Sequence, residues 1–362
     1  MTFLDLLRAL ASQTIVWHHF VIYGPLPVAA AALAPMVFDV LDAYGRMAVQ
    51  VFFVVGGFLT ARGLTSARPP SLRAFGSFLA HRYRRTGIPA FAAVLITVTA
   101  SALARRWTSD PGLITSPPTL DQLAAHAFFV NYLVGYEALT PGIWYLAIDF
   151  QLGIVALLIF WAGGLIAREL RRRWASIMGL GVARVLFAAL AIASLLVFNR
   201  DPRLDIWAIY FFGSYFLGMI LYWAVCRLLS PLWLWAYLAL VIGAACWDWR
   251  PRLLLASATA LSILAMAQLG MLERWPSSRI AAFLGRISFS LFLLHFPVVM
   301  MVNAWFEHRD LLSPGPALAG LLLAYAIAIV AATGFHNAIE LPAASGRFPF
   351  GPRAPRVVPE RS

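Results

Sequence analysis

Two side chains that could act together on a hydroxyl group, Arg8 and His19, lie in the first apolar segment, residues 4–23. They are eleven residues apart, close to three helical turns, so they fall on one face of a helix. Asp5 and Ser12 lie on the same face. A neutral imidazole can take a proton from a hydroxyl, and an arginine can hold an anion or polarise a carbonyl. The spacing therefore predicts a polar stripe suited to proton transfer beside an anion.

The stripe extends from a membrane surface to mid-depth, because the rise from Arg8 to His19 is about 16 Å, roughly half of a hydrocarbon core. An ionisable group at that depth costs at least ~2.5 kcal/mol and is usually turned inward. A lone histidine would more often be a polar contact between helices. The complete stripe favours a functional pair, and His18, rotated by about 100°, is the weaker candidate.

Three arginines, Arg82, Arg84 and Arg85, end the segment that precedes the third apolar run. Basic clusters beside a span ordinarily set topology or touch anionic lipid. The alternative is a site for a phosphorylated ligand, since arginine forks grip phosphate. If the cluster only sets topology, such a site would be sought around Arg8 and Arg286.

Other polar residues interrupt later apolar runs. Trp144 fits an ordinary interfacial belt, but Asp149 lies one to two turns deeper and predicts a contact with another helix or a polar cavity. His295 is a second mid-span imidazole. Glu340 is four residues after His336 and could close a helix end or pair with a loop arginine. The histidines and acids lack metal-site spacing, so no metal is expected.

The composition is that of a membrane protein. Of 362 residues, 61% are hydrophobic and only 12% charged, and mean hydropathy is +0.78; a soluble domain would have about 25% charged residues. The net charge of +12 comes entirely from arginine. Because the arginines lie in short loops between apolar runs, they fit the positive-inside rule better than nucleic-acid binding. We expect an all-α polytopic bundle.

Ten apolar segments are long enough to span a bilayer. They lie near residues 4–23, 40–61, 87–104, 143–166, 178–198, 206–226, 231–247, 253–272, 282–303 and 316–338. If the short segment 121–137 does not span and the N-terminus is cytoplasmic, 20 arginines lie inside and 8 outside. If it spans, the split becomes 12 against 16. We therefore expect ten spans, both termini cytoplasmic, and 121–137 as a re-entrant or interfacial helix. Residues 1–342 form one predicted domain, and 343–362 a predicted disordered tail.

Several motifs, in order along nearly the whole chain, resemble those of the acyltransferase-3 family of integral membrane O-acyltransferases. The matching stretches are Leu4-Asp5-Leu6-Leu7-Arg8-Ala9 with the Arg8–His19 spacing, Val51 to Leu59, Arg82 to Arg85, Trp144 to Gln151, Leu284 to Pro297, and Glu340-Leu341-Pro342. The resemblance implies transfer of an acyl group, often acetyl, from acyl-CoA to a hydroxyl of a carbohydrate or lipid-linked acceptor. The expected location is a bacterial inner membrane.

The resemblance also implies roles for single residues. His19 would be the general base and Arg8 would orient the donor, while the CoA phosphates would be held by Arg82 and Arg85, with Arg84 beside them. Asp149 would be a third catalytic candidate. The remaining candidates of the polar site are Asp5, Ser12, Trp144, His295 and Glu340.

Three departures from the family pattern matter. Gly56 stands where the family commonly has Ser, Gln50 where an acid is frequent, and Asp149 where Glu is usual. Because Asp149 is one methylene shorter, a carboxylate there must reach further. A proton-coupled transporter or flippase is the alternative function, since intramembrane Arg, Asp and His also mark solute paths.

Overall fold

The computed structural model describes residues 2–66, 72–171, 179–276 and 278–346. Within these ranges the chain forms α-helices joined by short 3₁₀ and π turns and loops, without a β-strand. The all-α bundle predicted from the sequence is confirmed. The tail prediction falls largely on residues outside the described ranges, and the division at residue 342 stays a prediction.

Fourteen α-helices make up the described part of the chain. They are α1 Thr2–Ile22, α2 Pro25–Ala30, α3 Pro35–Tyr44, α4 Val49–Ser66, α5 Leu72–Ala104, α6 Leu120–Ala127, α7 Ile143–Arg171, α8 Gly179–Leu196, α9 Ala208–Val225, α10 Pro231–Trp247, α11 Pro251–Gln268, α12 Arg279–His308, α13 Pro314–Phe335 and α14 Leu341–Ser345. A 3₁₀ turn, Gly45–Ala48, joins α3 to α4, and a π turn, His336–Glu340, joins α13 to α14.

All ten apolar segments predicted from the sequence are helical. Eight helices of the described chain are long and apolar enough to cross a membrane. The first segment continues past Ile22 into α2 after a bend of 89° and would make a ninth span. The tenth is α10, which is apolar but has only 17 residues. At 1.5 Å per residue α10 is about 26 Å long, slightly less than the hydrocarbon core.

Two boundaries differ from the prediction. The second segment was expected to begin near residue 40, but the apolar helical stretch begins at Pro35 and consists of α3, the turn Gly45–Ala48 and α4. The third was expected at 87, but α5 begins at Leu72 and contains Pro89 in its interior. Hydropathy marks where a chain enters apolar surroundings and does not mark where its helix begins. The cluster of three arginines is therefore on a helix and not in a loop.

The segment 121–137 contains no helix long enough to span a membrane. Its helix α6 has eight residues, about 12 Å, and begins where the Thr119 hydroxyl accepts a hydrogen bond from the Gln122 backbone (3.2 Å). His126 then holds the following loop, because its Nδ1 lies 2.8 Å from the Gln122 carbonyl and its Nε2 accepts from the Leu139 backbone. Burial lowers the pKa of His126, against the opposing effect of that carbonyl, which favours the neutral ring that this pair of bonds requires.

Helices α1 and α12 pack side by side and point in the same direction. The Ser12 hydroxyl donates to the Ser288 carbonyl (2.9 Å), and about two turns further along both helices His19 meets His295. Parallel packing requires an even number of crossings before α12. Eight of the ten apolar helices precede it when 121–137 is left out, and a ninth crossing would turn α12 over. The helix pairing therefore agrees with the ten-span arrangement.

Candidate active site

The two mid-span histidines predicted from the sequence lie against each other. Nδ1 of His19, near the end of α1, is 2.6 Å from Nε2 of His295 on α12. The planes of the two rings are nearly parallel, with an interplanar angle of 11°, and their centroids are 4.8 Å apart. Both side chains are buried. Two helices that are 276 residues apart in sequence thus contribute one imidazole pair.

The hydrogen bonds indicate where the protons of this pair lie. Nδ1 of His295 is 3.2 Å from the Leu291 carbonyl, which can only accept, so this nitrogen carries a proton. In a neutral ring its Nε2 is then an acceptor, and Nδ1–H of His19 must be the donor. Nε2 of His19 is left with a free lone pair. His295 therefore fixes His19 as the tautomer that a general base requires.

His19 lines a cavity of about 670 Å³, here called the histidine cavity. Aromatic rings and polar groups share its wall, a composition suited to a hydroxylated ligand. The lining includes Ile15, His18, His19, Tyr23, Arg46, residues 111–116, Gln122, Tyr132, residues 137–142, Trp144, Tyr145, Phe292 and Phe296. Trp144, which was expected in an interfacial belt and was also a candidate of the polar site, lines this cavity.

His18, the chain neighbour of His19, has a structural contact at one wall of the histidine cavity. Its Nδ1 is 2.8 Å from the Leu41 carbonyl of α3, so this ring nitrogen already has a hydrogen-bond partner. Gly45 packs directly on the same ring system, since a Cβ at this position would come within 2.5 Å of the His18 Cβ. The next residue, Arg46, stacks on the Trp144 ring at 5.1 Å. The tight approach at Gly45 brings Arg46 to the wall of the histidine cavity.

Tyr132, in the loop after α6, also lines the histidine cavity, and it shares a smaller adjoining pocket with Arg46 and Trp144. Burial raises the pKa of Tyr132 to about 12, an effect increased by Tyr23 and opposed by the positive charge of Arg46. Tyr132 is therefore a neutral hydroxyl at physiological pH. It can donate or accept a hydrogen bond from a ligand in the cavity.

A second cavity of about 340 Å³, here called the arginine cavity, lies at the opposite ends of α1 and α12. Three guanidinium groups converge there from three helices: Arg8 from α1, Arg85 from α5 and Arg286 from α12. Arg8 also contacts Asp5, with Nη1 3.6 Å from Oδ1. A cleft with three arginines is suited to a ligand that carries several phosphates.

The predicted arginine cluster is divided by its helix. Arg85 lines the arginine cavity. Arg84 is exposed and lies outside the lining of both cavities. Arg82 is turned to α7, where Nη2 donates to both Oδ2 and the backbone carbonyl of Asp149, each at 2.7 Å. The contact predicted for Asp149 with another helix is present, and its partner is Arg82.

Asp149 belongs to a packed region beside the cavities. Its ion pair with Arg82 is about one-fifth exposed on each side chain. Gly56 lies beside this pair: a Cβ there would make an ordinary contact with Asp149 Oδ1 at 3.7 Å and a tight one with the Tyr215 ring at 3.3 Å. The pair joins α5 to α7. Asp149 is absent from the lining of the histidine cavity, so the structure separates it from His19.

Glu340 was expected either to close a helix end or to pair with a loop arginine, and the structure shows the first of these. Its Oε2 accepts hydrogen bonds from the Ser290 hydroxyl (2.5 Å) and from His336 Nδ1 (2.9 Å). In the described part of the chain these two residues take the place of the loop arginine. Glu340 still lines the arginine cavity, where it closes the end of α13 against α12.

A thin layer separates the two cavities. Ser288 and Phe289 face the arginine cavity, while Phe292, one turn later on α12, faces the histidine cavity. The Tyr145 ring packs edge-on against Phe292, with centroids 5.8 Å apart. On α1 the corresponding level is Ser12, bonded to Ser288. About one helical turn, or 5 Å, thus lies between the linings along α12.

The stripe predicted on α1 is therefore divided between two sites. Arg8 and Asp5 lie at the arginine cavity, Ser12 at the layer between them, and His19 at the histidine cavity. Sequence reasoning missed Arg46, Tyr23 and the loop that follows α6. One signal was present: Arg46 is a cation on the side predicted to be poor in arginine.

The sequence matches one family model, described as an acyltransferase domain, over residues 1–333. No curated protein and no solved structure matches the chain significantly. The matched region contains the lining of the histidine cavity, the lining of the arginine cavity except Glu340, and both histidines of the pair, and it ends before the π turn at His336.

Proposed function

The chain belongs to the acyltransferase-3 family and is a helical membrane acyltransferase, and on that premise we propose that it moves an acyl group from cytosolic acyl-CoA to a hydroxyl of a carbohydrate or lipid-linked acceptor. Acetyl is the proposed acyl group. The proposed location is a bacterial inner membrane, with both termini in the cytoplasm, since the arginine count favours that orientation.

The arginine cavity is the proposed donor site. CoA carries a pyrophosphate and a 3′-phosphate, and Arg8, Arg85 and Arg286 offer three forks for these groups. This revises the site expected from the sequence, because Arg82 is engaged by Asp149 and Arg84 is absent from the cavity lining. The pantetheine arm would then extend between α1 and α12 toward His19.

The histidine cavity is the proposed acceptor site. Nε2 of His19 takes the proton of the acceptor hydroxyl, and the oxygen attacks the thioester carbonyl carbon. The tetrahedral intermediate collapses with cleavage of the C–S bond. The thiolate of CoA leaves and takes the proton back from His19 as a thiol. His295 stays hydrogen-bonded to Nδ1 of His19 and stabilises the imidazolium that forms between these steps.

The observation that carries this proposal is the bond between Nδ1 of His19 and Nε2 of His295. A structural histidine needs only a satisfied ring. Here the bonding pattern leaves one nitrogen free on a residue that lines a cavity large enough for a sugar. The arginine cavity at the other end of the same two helices supplies a second, anion-binding site.

The test is acyl transfer by the purified full chain in proteoliposomes. We expect release of free CoA from acetyl-CoA that depends on added acceptor extract from the host envelope, together with an acetyl mass gained by one acceptor. A protein that binds these compounds, moves solute across the vesicle wall and releases no CoA would be a transporter, and the enzyme proposal would be wrong.

A further inference from the structure

One guanidinium in the histidine cavity, that of Arg46, has no hydrogen-bond or ion-pair partner among the described residues. Arg46 is exposed, and no hydrogen bond or ion pair joins it to another described residue. Its contact is the face of Trp144, 5.1 Å from the ring centroid. Among the residues that line this cavity, Arg46 is the only arginine and Glu137 the only acid.

The other arginines predicted on the same side of the membrane mostly have polar partners. Five of them bind backbone carbonyls, carboxylates or the Asn199 side chain: Arg105, Arg200, Arg203, Arg250 and Arg252. Arg309 resembles Arg46 in stacking on a tryptophan, at 5.7 Å from Trp305. Arg309 is absent from the lining of the histidine cavity. A free cation combined with a place in the cavity wall is thus specific to Arg46.

The position of Arg46 is held by packing, so it is available to a ligand without a large rearrangement. Gly45 sits directly on His18, and His18 in turn holds α3 through the Leu41 carbonyl. The turn Gly45–Ala48 thus packs against His18, the chain neighbour of His19. A planar guanidinium fixed on an aromatic ring keeps its edge N–H groups free for a carboxylate or phosphate.

We propose that Arg46 binds an anionic group of the acceptor, so that the acceptor carries a carboxylate or a phosphate near the hydroxyl that receives the acyl group. The inference rests on the proposed function and makes it narrower. The aromatic lining, including Trp144 and Tyr132, would contact the apolar face of the sugar, and Arg46 would select its charge. Neutral sugars of the same shape would be poor acceptors.

The test compares Arg46→Gln, Arg46→Lys and the matched control Arg309→Gln in cells that lack the wild-type chain. Mass spectrometry identifies the acylated residue and its amount. We expect an acidic residue, a loss of about tenfold or more in Arg46→Gln, an intermediate level in Arg46→Lys, and near-normal product in Arg309→Gln. The chemical identity of the acylated residue separates carboxylate from phosphate.

A second readout does not require turnover. Phenylglyoxal modifies accessible guanidinium groups, and peptide mapping of the purified full chain follows Arg46 and Arg309 separately. Inorganic phosphate or glucuronate should slow labelling of Arg46 several-fold relative to Arg309, and glucose should not. The anion that protects Arg46 better indicates whether the acceptor group is a phosphate or a carboxylate.

These outcomes separate two failures. Protection of Arg46 with no acyl transfer by the wild-type chain would support the anion site and contradict the proposed function. A neutral acylated product, unprotected Arg46, or equal losses in Arg46→Gln on acidic and neutral acceptors would overturn the anion site and leave the acyltransferase standing.

Discussion

His19 and His295 are joined by a hydrogen bond of 2.6 Å between Nδ1 of the first ring and Nε2 of the second. The bond links the first helix to the ninth of the ten apolar helices in the described chain. Since His295 Nδ1–H in turn donates to the Leu291 carbonyl, both hydrogen bonds are donated in the same direction, from His19 toward Leu291. Nε2 of His19 is left free.

Replacing His295 tests whether its hydrogen bond to His19 contributes to turnover. His295→Leu removes the acceptor for Nδ1–H of His19 and leaves the imidazolium without a partner, so kcat should fall by ~10²–10⁴. KM for the donor should change little. His308→Ala, an exposed histidine of the same helix, is the control. A normal kcat in the His295 variant would show that His19 needs no partner.

The donor site predicts a division within the arginine cluster. The double variant Arg85→Lys with Arg286→Lys keeps the positive charge and removes two planar forks, so acyl-CoA binding should weaken by ~1–3 kcal/mol. Arg84→Lys is the control, because Arg84 is exposed outside the cavity. The measurement is titration calorimetry of CoA binding. With a donor that lacks the 3′-phosphate, the loss of affinity in the double variant should be smaller. An equal loss of CoA affinity in the double variant and in Arg84→Lys would contradict the assignment of the donor site to the arginine cavity.

The pair of Arg82 and Asp149 predicts a stability effect instead. Removing one partner leaves a charge in an apolar region, so Arg82→Met should lower the free energy of unfolding by ~3 kcal/mol. Arg82→Met combined with Asp149→Leu should recover much of that loss, since neither charge then remains. Thermal unfolding in detergent checks this. If the double variant is less stable than Arg82→Met, the pair has a role besides packing.

The topology predicts opposite labelling of two sites. In a chain with Cys226 and Cys246 changed to serine, a cysteine at Leu311, between α12 and α13, should react with an impermeant maleimide added from outside. A cysteine at Ser345 should react only after the membrane is opened. Labelling of Ser345→Cys from outside would place the termini on the outer side.

The sequence predicted the elements that depend on composition and periodicity. Ten apolar runs are helices, and the register of Arg8 with His19 follows from 3.6 residues per turn. The meeting of His19 with His295 could not be derived, because nothing local couples two helices 276 residues apart. Motif resemblance named both residues but not their contact.

The expectations that the structure revises are those that treated charge as a property of a loop. Arg82, Arg84 and Arg85 lie within about one turn of a single helix, so they point in different directions and meet different partners. Only Arg85 reaches the cavity. Asp149 likewise needed the structure, since its partner is on another helix.

The most direct test of the proposed mechanism is the acyl transfer rate of His19→Ala beside His18→Ala. The two residues are neighbours on α1, and both are buried, so effects on insertion should be similar and can be compared by unfolding temperature. His19→Ala should lose at least ~10²-fold in kcat, because the base is gone. His18→Ala, which removes only the bond to the Leu41 carbonyl, should retain most of its turnover. Near-normal turnover by a folded His19→Ala protein would contradict the role of His19 as general base.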